Sequence, residues 1–152
     1  MYVHSDWGSW LPNAVADADP DGVALWYLGC NGFVLKAADG TTVFIDPYLG
    51  TGDPPRTVRM IPIPFAPEDV PEADAVLATH EHTDHTHGPS QAPILAGTDA
   101  TFYAPKAAVD TADGWIEEFD LSTDDIVQLT EGRTIDVGSL SIHVEAAYDP
   151  DA

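Results

Sequence analysis

Thr79-His80-Glu81-His82-Thr83-Asp84-His85 directly follows the short apolar run Ala75-Val76-Leu77-Ala78. An apolar run of this kind reads as a buried strand. In an extended segment alternate side chains share a side, so His80, His82 and Asp84 are expected together, with Glu81 and Thr83 opposite. If the chain turns into a helix at 84–85, His85 swings back to the same place. Imidazole and carboxylate suit zinc, manganese or iron, and with no thiolate at hand a cysteine-rich structural zinc site is excluded. His80, His82, Asp84 and His85 are therefore the candidate metal ligands. A site of this type that keeps a position open binds a water and lowers its pKa toward neutrality. His87 falls outside the spacing, and His4 and His143 read as surface or strand histidines.

Working outward toward the N-terminus, the pattern is one of short strands and turns. Val23–Leu28, Phe33–Lys36 and Thr41–Ile45 are rich in β-formers and are separated by Gly29-Cys30-Asn31-Gly32 and Ala38-Asp39-Gly40, which gives an antiparallel meander. Asp46-Pro47 ends the third strand, since proline cannot donate to the ladder. Asp46 is either a turn aspartate or a carboxylate that accepts from a ligand histidine and fixes its ring, a second-shell role. Residues 50–72 are proline-rich and read as an irregular loop. Residues 1–22, polar and aspartate-rich, read as an N-terminal arm with room for a short helix.

Toward the C-terminus, residues 88–97 are helix or loop, with Pro89 and Pro93 against a clear assignment. Thr101–Ala104 is a strand, and Pro105 suits the start of a helix over Lys106–Asp113. Ile126–Leu129 and Thr134–Val137 are expected as the two arms of a hairpin, with Leu140–Val144 a further strand. The fold class expected is α/β (α+β), a mixed sheet with helices on one side.

Composition narrows the setting. The chain has 152 residues and 44% hydrophobic content, enough for one domain with a core. No apolar run approaches a membrane span, and the first ten residues lack the pattern of a secretory leader, so the expectation is a cytoplasmic chain with no membrane partner. The 26 acidic residues face 5 basic ones, a net charge of −21. The acids are scattered rather than gathered in a tail, which suggests a halophile's protein, its self-repulsion screened by salt. So few cations argue against a nucleic-acid partner. Cys30 is the single cysteine, read as a small buried residue.

The spacing His80-x-His82-x-Asp84-His85 after an apolar strand resembles the signature of the metallo-β-lactamase superfamily. Trp7-Gly8-Ser9-Trp10-Leu11, Leu25–Gly32, Ala75–His80 and Ala104-Pro105-Lys106 are similar to its L-ascorbate-6-phosphate lactonase branch. The resemblance implies an αββα sandwich with one or two divalent metal ions, zinc or manganese, at the sheet edges. It implies His80 and His82 on one ion and Asp84 and His85 on a second, with Asp84 also orienting the water. In that branch an aspartate can stand where the third histidine comes, which makes Asp149 a further candidate ligand. Family members continue beyond this point, so residues 23–152 are expected to be the N-terminal half of such a domain.

The function expected is metal-dependent hydrolysis of a lactone or ester of a small, phosphorylated or plain, molecule. Lys36, Arg56, Arg59 and Lys106 are the cations available to a phosphate, with Lys106 and Arg59 the chosen substrate-binding candidates. The alternatives are phosphodiesterase or nuclease chemistry on the same fold, or a metal-binding fragment without turnover. A homo-oligomer is left open.

Overall fold

The structure, a computed structural model, describes residues 3–147. Its centre is a six-stranded sheet ordered β1-β2-β3-β6-β7-β8, where β1 is Val23–Gly29, β2 Gly32–Ala37, β3 Thr42–Ile45, β6 Ala75–Leu77, β7 Thr101–Ala104 and β8 Ile126–Gln128. The meander β1-β2-β3 is antiparallel, as its tight turns require. The pairs β3·β6, β6·β7 and β7·β8 are parallel, so each needs a crossover. Helix α2 (Gly88–Gly97) makes the second of these crossovers and α3 (Lys106–Glu118) the third. The sheet is therefore mixed, as expected.

Strand alternation sorts the sheet into two faces. Trp26, Val34, Phe44, Val76, Phe102 and Ile126 line one, where they join Ile94 and Leu95 of α2 and Ala108, Ala112 and Trp115 of α3 in the main core. Val43, Ile45, Ala75, Leu77 and Tyr103 line the other. That face is covered in part by a hairpin of β9 (Thr134–Val137) and β10 (Leu140–His143), through Ile135, Val137, Leu140 and Ile142. At the sheet edge Val23, Leu25 and Tyr27 are exposed on β1.

The short helix for which the N-terminal segment has room is α1 (Trp10–Asp17), which buries Leu11 and Val15, one helical turn apart, in the main core. Three expectations are corrected here. Helix α3 runs past Gly114 to Glu118, because Trp115 packs on Phe102 with ring centroids 5.1 Å apart, and that burial outweighs the glycine's low propensity. Strand β8 pairs with β7, not with β9; the hairpin is β9 with β10. Within the 50–72 loop lies a two-residue hairpin of β4 (Gly52–Asp53) and β5 (Thr57–Val58).

Residues 88–97 are helical despite Pro93. The helix starts against α3, where a Cβ on Gly88 would stand 2.8 Å from the Trp115 indole nitrogen. Only glycine allows that approach. Among the described residues no helix is long and apolar enough to cross a membrane.

Candidate metal centre

Parallel strands β3 and β6 end side by side, so Asp46, which follows β3, comes to lie against Thr79, which follows β6. Ligands of open α/β sheets are held at such carboxyl ends. The backbone N–H of Asp46 donates to the Leu77 carbonyl at 2.8 Å. Asp46 has φ 47°, a left-handed conformation that aspartate tolerates better than most residues. The kink turns its carboxylate into the His80–His85 loop.

That carboxylate is 3% exposed and organises the loop. Its Oδ1 accepts from the Thr79 N–H at 2.8 Å, and its Oδ2 from the Thr79 hydroxyl at 2.7 Å. Oδ2 also stands 2.7 Å from Nδ1 of His85. A carboxylate only accepts, so His85 carries its proton on Nδ1 and its lone pair on Nε2. The same logic reaches His80. The Thr79 hydroxyl, having donated to Asp46, accepts at 3.0 Å from Nδ1 of His80, which leaves His80 Nε2 with its lone pair as well. One buried carboxylate thus sets two imidazoles in the tautomer that a metal ligand needs.

The rings are gathered: His80 and His85 centroids are 3.9 Å apart, His80 and His82 4.7 Å. Asp84 Oδ2 stands 3.6 Å from His85 Nε2. Two ligand atoms about 2.1 Å from one tetrahedral ion are about 3.4 Å apart, so this pair has the bite of a metal site. Among the described residues no group of three His, Cys, Asp or Glu side chains is placed to hold a metal ion. His82 is exposed and its ring meets protein edge-on at His80. The donor chemistry fits a divalent ion. Asp149 lies outside the described residues.

The expected alternation along 80–84 does not hold. Residues 80–85 form bends and turns rather than a strand, with the His82 carbonyl accepting from the N–H groups of His85 and Thr86. Glu81 consequently lines the same cavity as His80 and His82. This cavity, about 990 Å³, lies between the carboxyl ends of β3 and β6 and the β9–β10 hairpin, and Leu77, Pro105, Ile142 and His143 are among the residues that line it. His143 is a strand histidine as expected, bonded to Thr134 and paired with Glu145 at 2.9 Å.

Sequence reasoning missed the residues that hold the loop in place. Gln91, fully buried on α2, donates to the carbonyls of His85 at 2.7 Å and Pro47 at 3.2 Å. Thr86 donates to the His80 carbonyl at 2.6 Å. Asn31, in the β1–β2 turn, places Nδ2 3.3 Å from Asp84 Oδ2 and 3.2 Å from His85 Nε2. His87 stands apart from the ligand group: its Nδ1 meets the Ser90 hydroxyl at 2.6 Å and its ring packs edge-on against Tyr48. Burial lowers its pKa below the ordinary histidine value.

The cations fall elsewhere. Lys36 is buried, its ammonium donating to the Val15 and Ala16 carbonyls at 2.9 and 2.8 Å, where it closes the C-terminus of α1. It is therefore not a surface cation. Arg59 donates to the carbonyls of Tyr48 (2.6 Å), Pro62 (3.0 Å), Ile61 (3.0 Å) and Leu28 (3.3 Å), and its Nη1 stands 3.5 Å from Cys30 Sγ. Cys30 is half-buried rather than buried. Arg56 is exposed beside Asp53. Lys106 pairs with Asp110 at 2.8 Å. Among the described residues no lysine or arginine lines the cavity.

Comparison with known proteins agrees with this architecture. The profile of the beta-lactamase superfamily domain matches residues 41–148. Proteins named probable L-ascorbate-6-phosphate lactonase UlaG, from Escherichia coli, Shigella boydii serotype 18 and Escherichia fergusonii, are each 29% identical over 170 residues, covering 95% of this chain and 47% of theirs. The chain thus spans about half the length of these curated relatives. A mutant of CmlA beta-hydroxylase superposes with a TM-score of 0.52 at 21% identity, over 82% of this chain and 24% of that one, a likeness of fold alone. With the profile spanning most of the described residues, and the mixed sheet carrying its histidine loop at the strand ends, the chain belongs to the beta-lactamase superfamily.

Proposed function

We propose that this chain carries the metal-binding half of a hydrolase that opens a lactone or ester of a small molecule. The observation that supports this best is the shared Asp46–Thr79 network, which leaves Nε2 of both His80 and His85 free to ligate. His80 and His82 would hold one ion, zinc or manganese, and Asp84 with His85 a second. Bound ions of this kind supply a water that ionises near neutral pH and an electrophile for the scissile carbonyl. Asp84, with a half-exposed side chain, would orient such a water. Leu77, Pro105 and Ile142 exclude bulk water from one side of the substrate. Lys106 adjoins Pro105 on the cavity wall, and a phosphorylated substrate would have to draw its ammonium away from Asp110.

The test is metal content after purification in multimolar KCl, wild type against His82→Ala, with a panel of lactones and esters assayed on the same samples. Bound metal that the variant loses, together with turnover of a panel member by the wild type, is the expected result. Metal bound without turnover would reduce the reading to a binding unit. A folded wild type that takes up no zinc or manganese would sink it.

A further inference from the structure

We infer that Asn31 is a positioning residue for the Asp84–His85 end of the metal centre, an inference that rests on the metal-binding reading above. Asn31 is distant in sequence from the histidine loop, yet its Nδ2 stands 3.3 Å from Asp84 Oδ2 and 3.2 Å from His85 Nε2. These are the two atoms whose 3.6 Å separation forms the ligand bite. The amide nitrogen carries two hydrogens, one for each.

The two contacts have different fates when an ion arrives. Nε2 of His85 has a single lone pair, so its contact with Asn31 gives way. A carboxylate oxygen offers more than one lone-pair direction, so Asp84 can keep its bond to Asn31 and still ligate. His85 loses nothing by this, because Asp46 fixes its ring from the other side. Asp84 has no such anchor: its side chain is 54% exposed, and among the described residues Asn31 is the group that donates a hydrogen bond to it. Asn31 therefore restricts the rotamers of Asp84 to those that face His85.

The turn that carries Asn31 is itself braced. Gly29 and Cys30 hold φ of 88° and 51°, and the Tyr27 hydroxyl donates to the Cys30 carbonyl at 2.8 Å. Arg59 grips the turn through the Leu28 carbonyl and Cys30 Sγ. On the far side a Cβ on Gly32 would stand 3.1 Å from the Asp46 carbonyl oxygen, so the turn packs on the residue that orients His85. Arg59 thus acts on the site as a brace of the turn.

The experiment is calorimetric titration of metal-stripped protein with Mn²⁺ and Zn²⁺, in multimolar KCl, for wild type, Asn31→Ala and Asn31→Gln. Visible absorption of the Co²⁺ forms is recorded alongside. Asn31→Ala should lose about tenfold in affinity for one equivalent, the range for removal of an outer-shell partner. The other equivalent and the thermal midpoint of the metal-free protein should not change. The Co²⁺ spectrum of the affected equivalent should alter, and Asn31→Gln, which keeps the donor, should recover part of the loss. Unchanged or tighter binding by Asn31→Ala would overturn the inference, as would loss of both equivalents with a lowered thermal midpoint. A folded wild type that binds no ion overturns the metal-binding reading itself, a result distinct from these.

Discussion

The carboxylate of Asp46 stands 2.7 Å from Nδ1 of His85, 39 residues later in the chain, and this one contact decides which imidazole nitrogen is free. Asp46→Asn tests it. Asparagine tolerates the left-handed backbone at this position, so the turn is kept. The amide loses the charge that holds Nδ1–H and offers one acceptor oxygen where Asp46 uses two. Metal affinity should fall about 10- to 100-fold, the usual cost of an outer-shell partner. Titration with Zn²⁺ or Mn²⁺ reads it. Binding equal to the wild type would show that the tautomer is set by something other than Asp46.

How much of this centre was legible in the sequence follows from what periodicity can and cannot say. The ligand-type residues are local, four within six positions, so spacing alone exposed them. Asp46 showed itself because a strand followed by Asp-Pro has few readings. Gln91, Asn31 and Arg59 act across the fold, and no local pattern separates them from a surface amide or cation. Lys36 illustrates the same limit. A lysine in a strand reads as solvent-facing, and only the position of the α1 C-terminus shows that two carbonyls await it. Helix α3 outran its expected end because tertiary burial of Trp115 outweighed Gly114.

Arg59 yields a second prediction. Its guanidinium joins the 48–62 loop to the β1–β2 turn through four carbonyls. Hydrogen bonds to a charged donor contribute about 1.5–3 kcal/mol each when lost, but the site is partly exposed, so a net loss of about 2 kcal/mol is expected for Arg59→Ala. Urea denaturation at fixed KCl measures it. Arg59→Lys should recover little, because one ammonium cannot reproduce a planar fork of donors. Stability within about 0.5 kcal/mol of wild type would mean that the clamp is solvated in solution.

Asp39 gives a pH prediction. Its carboxylate accepts from the Thr41 N–H at 3.0 Å and the Thr41 hydroxyl at 2.9 Å. The Thr41 backbone bond is the largest cause that holds its pKa below the ordinary 3.8, with the Ser139 side chain next. The folded pKa is the lower one, so the unfolded state binds the proton first as pH falls. Asp39 therefore stabilises the fold above the unfolded value, and this contribution disappears as pH drops through the folded value. Asp39→Asn should show a shallower acid loss than wild type below about pH 4 and a lower midpoint at neutrality. Parallel acid profiles for the two proteins would remove Asp39 from the account.

The net charge of −21 leads to the last prediction. With 26 acidic side chains against 5 basic ones, and Lys36 buried, the surface repels itself in dilute buffer. Salt should therefore stabilise the fold, and the shape of the response separates screening from the general strengthening of apolar burial by excluded solutes. The Debye length falls from about 10 Å at 0.1 M to about 3 Å at 1 M. Screening is thus largely complete by about 1 M, while the solute effect keeps rising with concentration. The thermal midpoint should climb steeply in KCl up to about 1 M and then flatten, and sucrose, which carries no charge, should not reproduce the steep phase. A midpoint that rises in equal measure with sucrose and KCl would mean that surface repulsion is not what limits the stability of this fold.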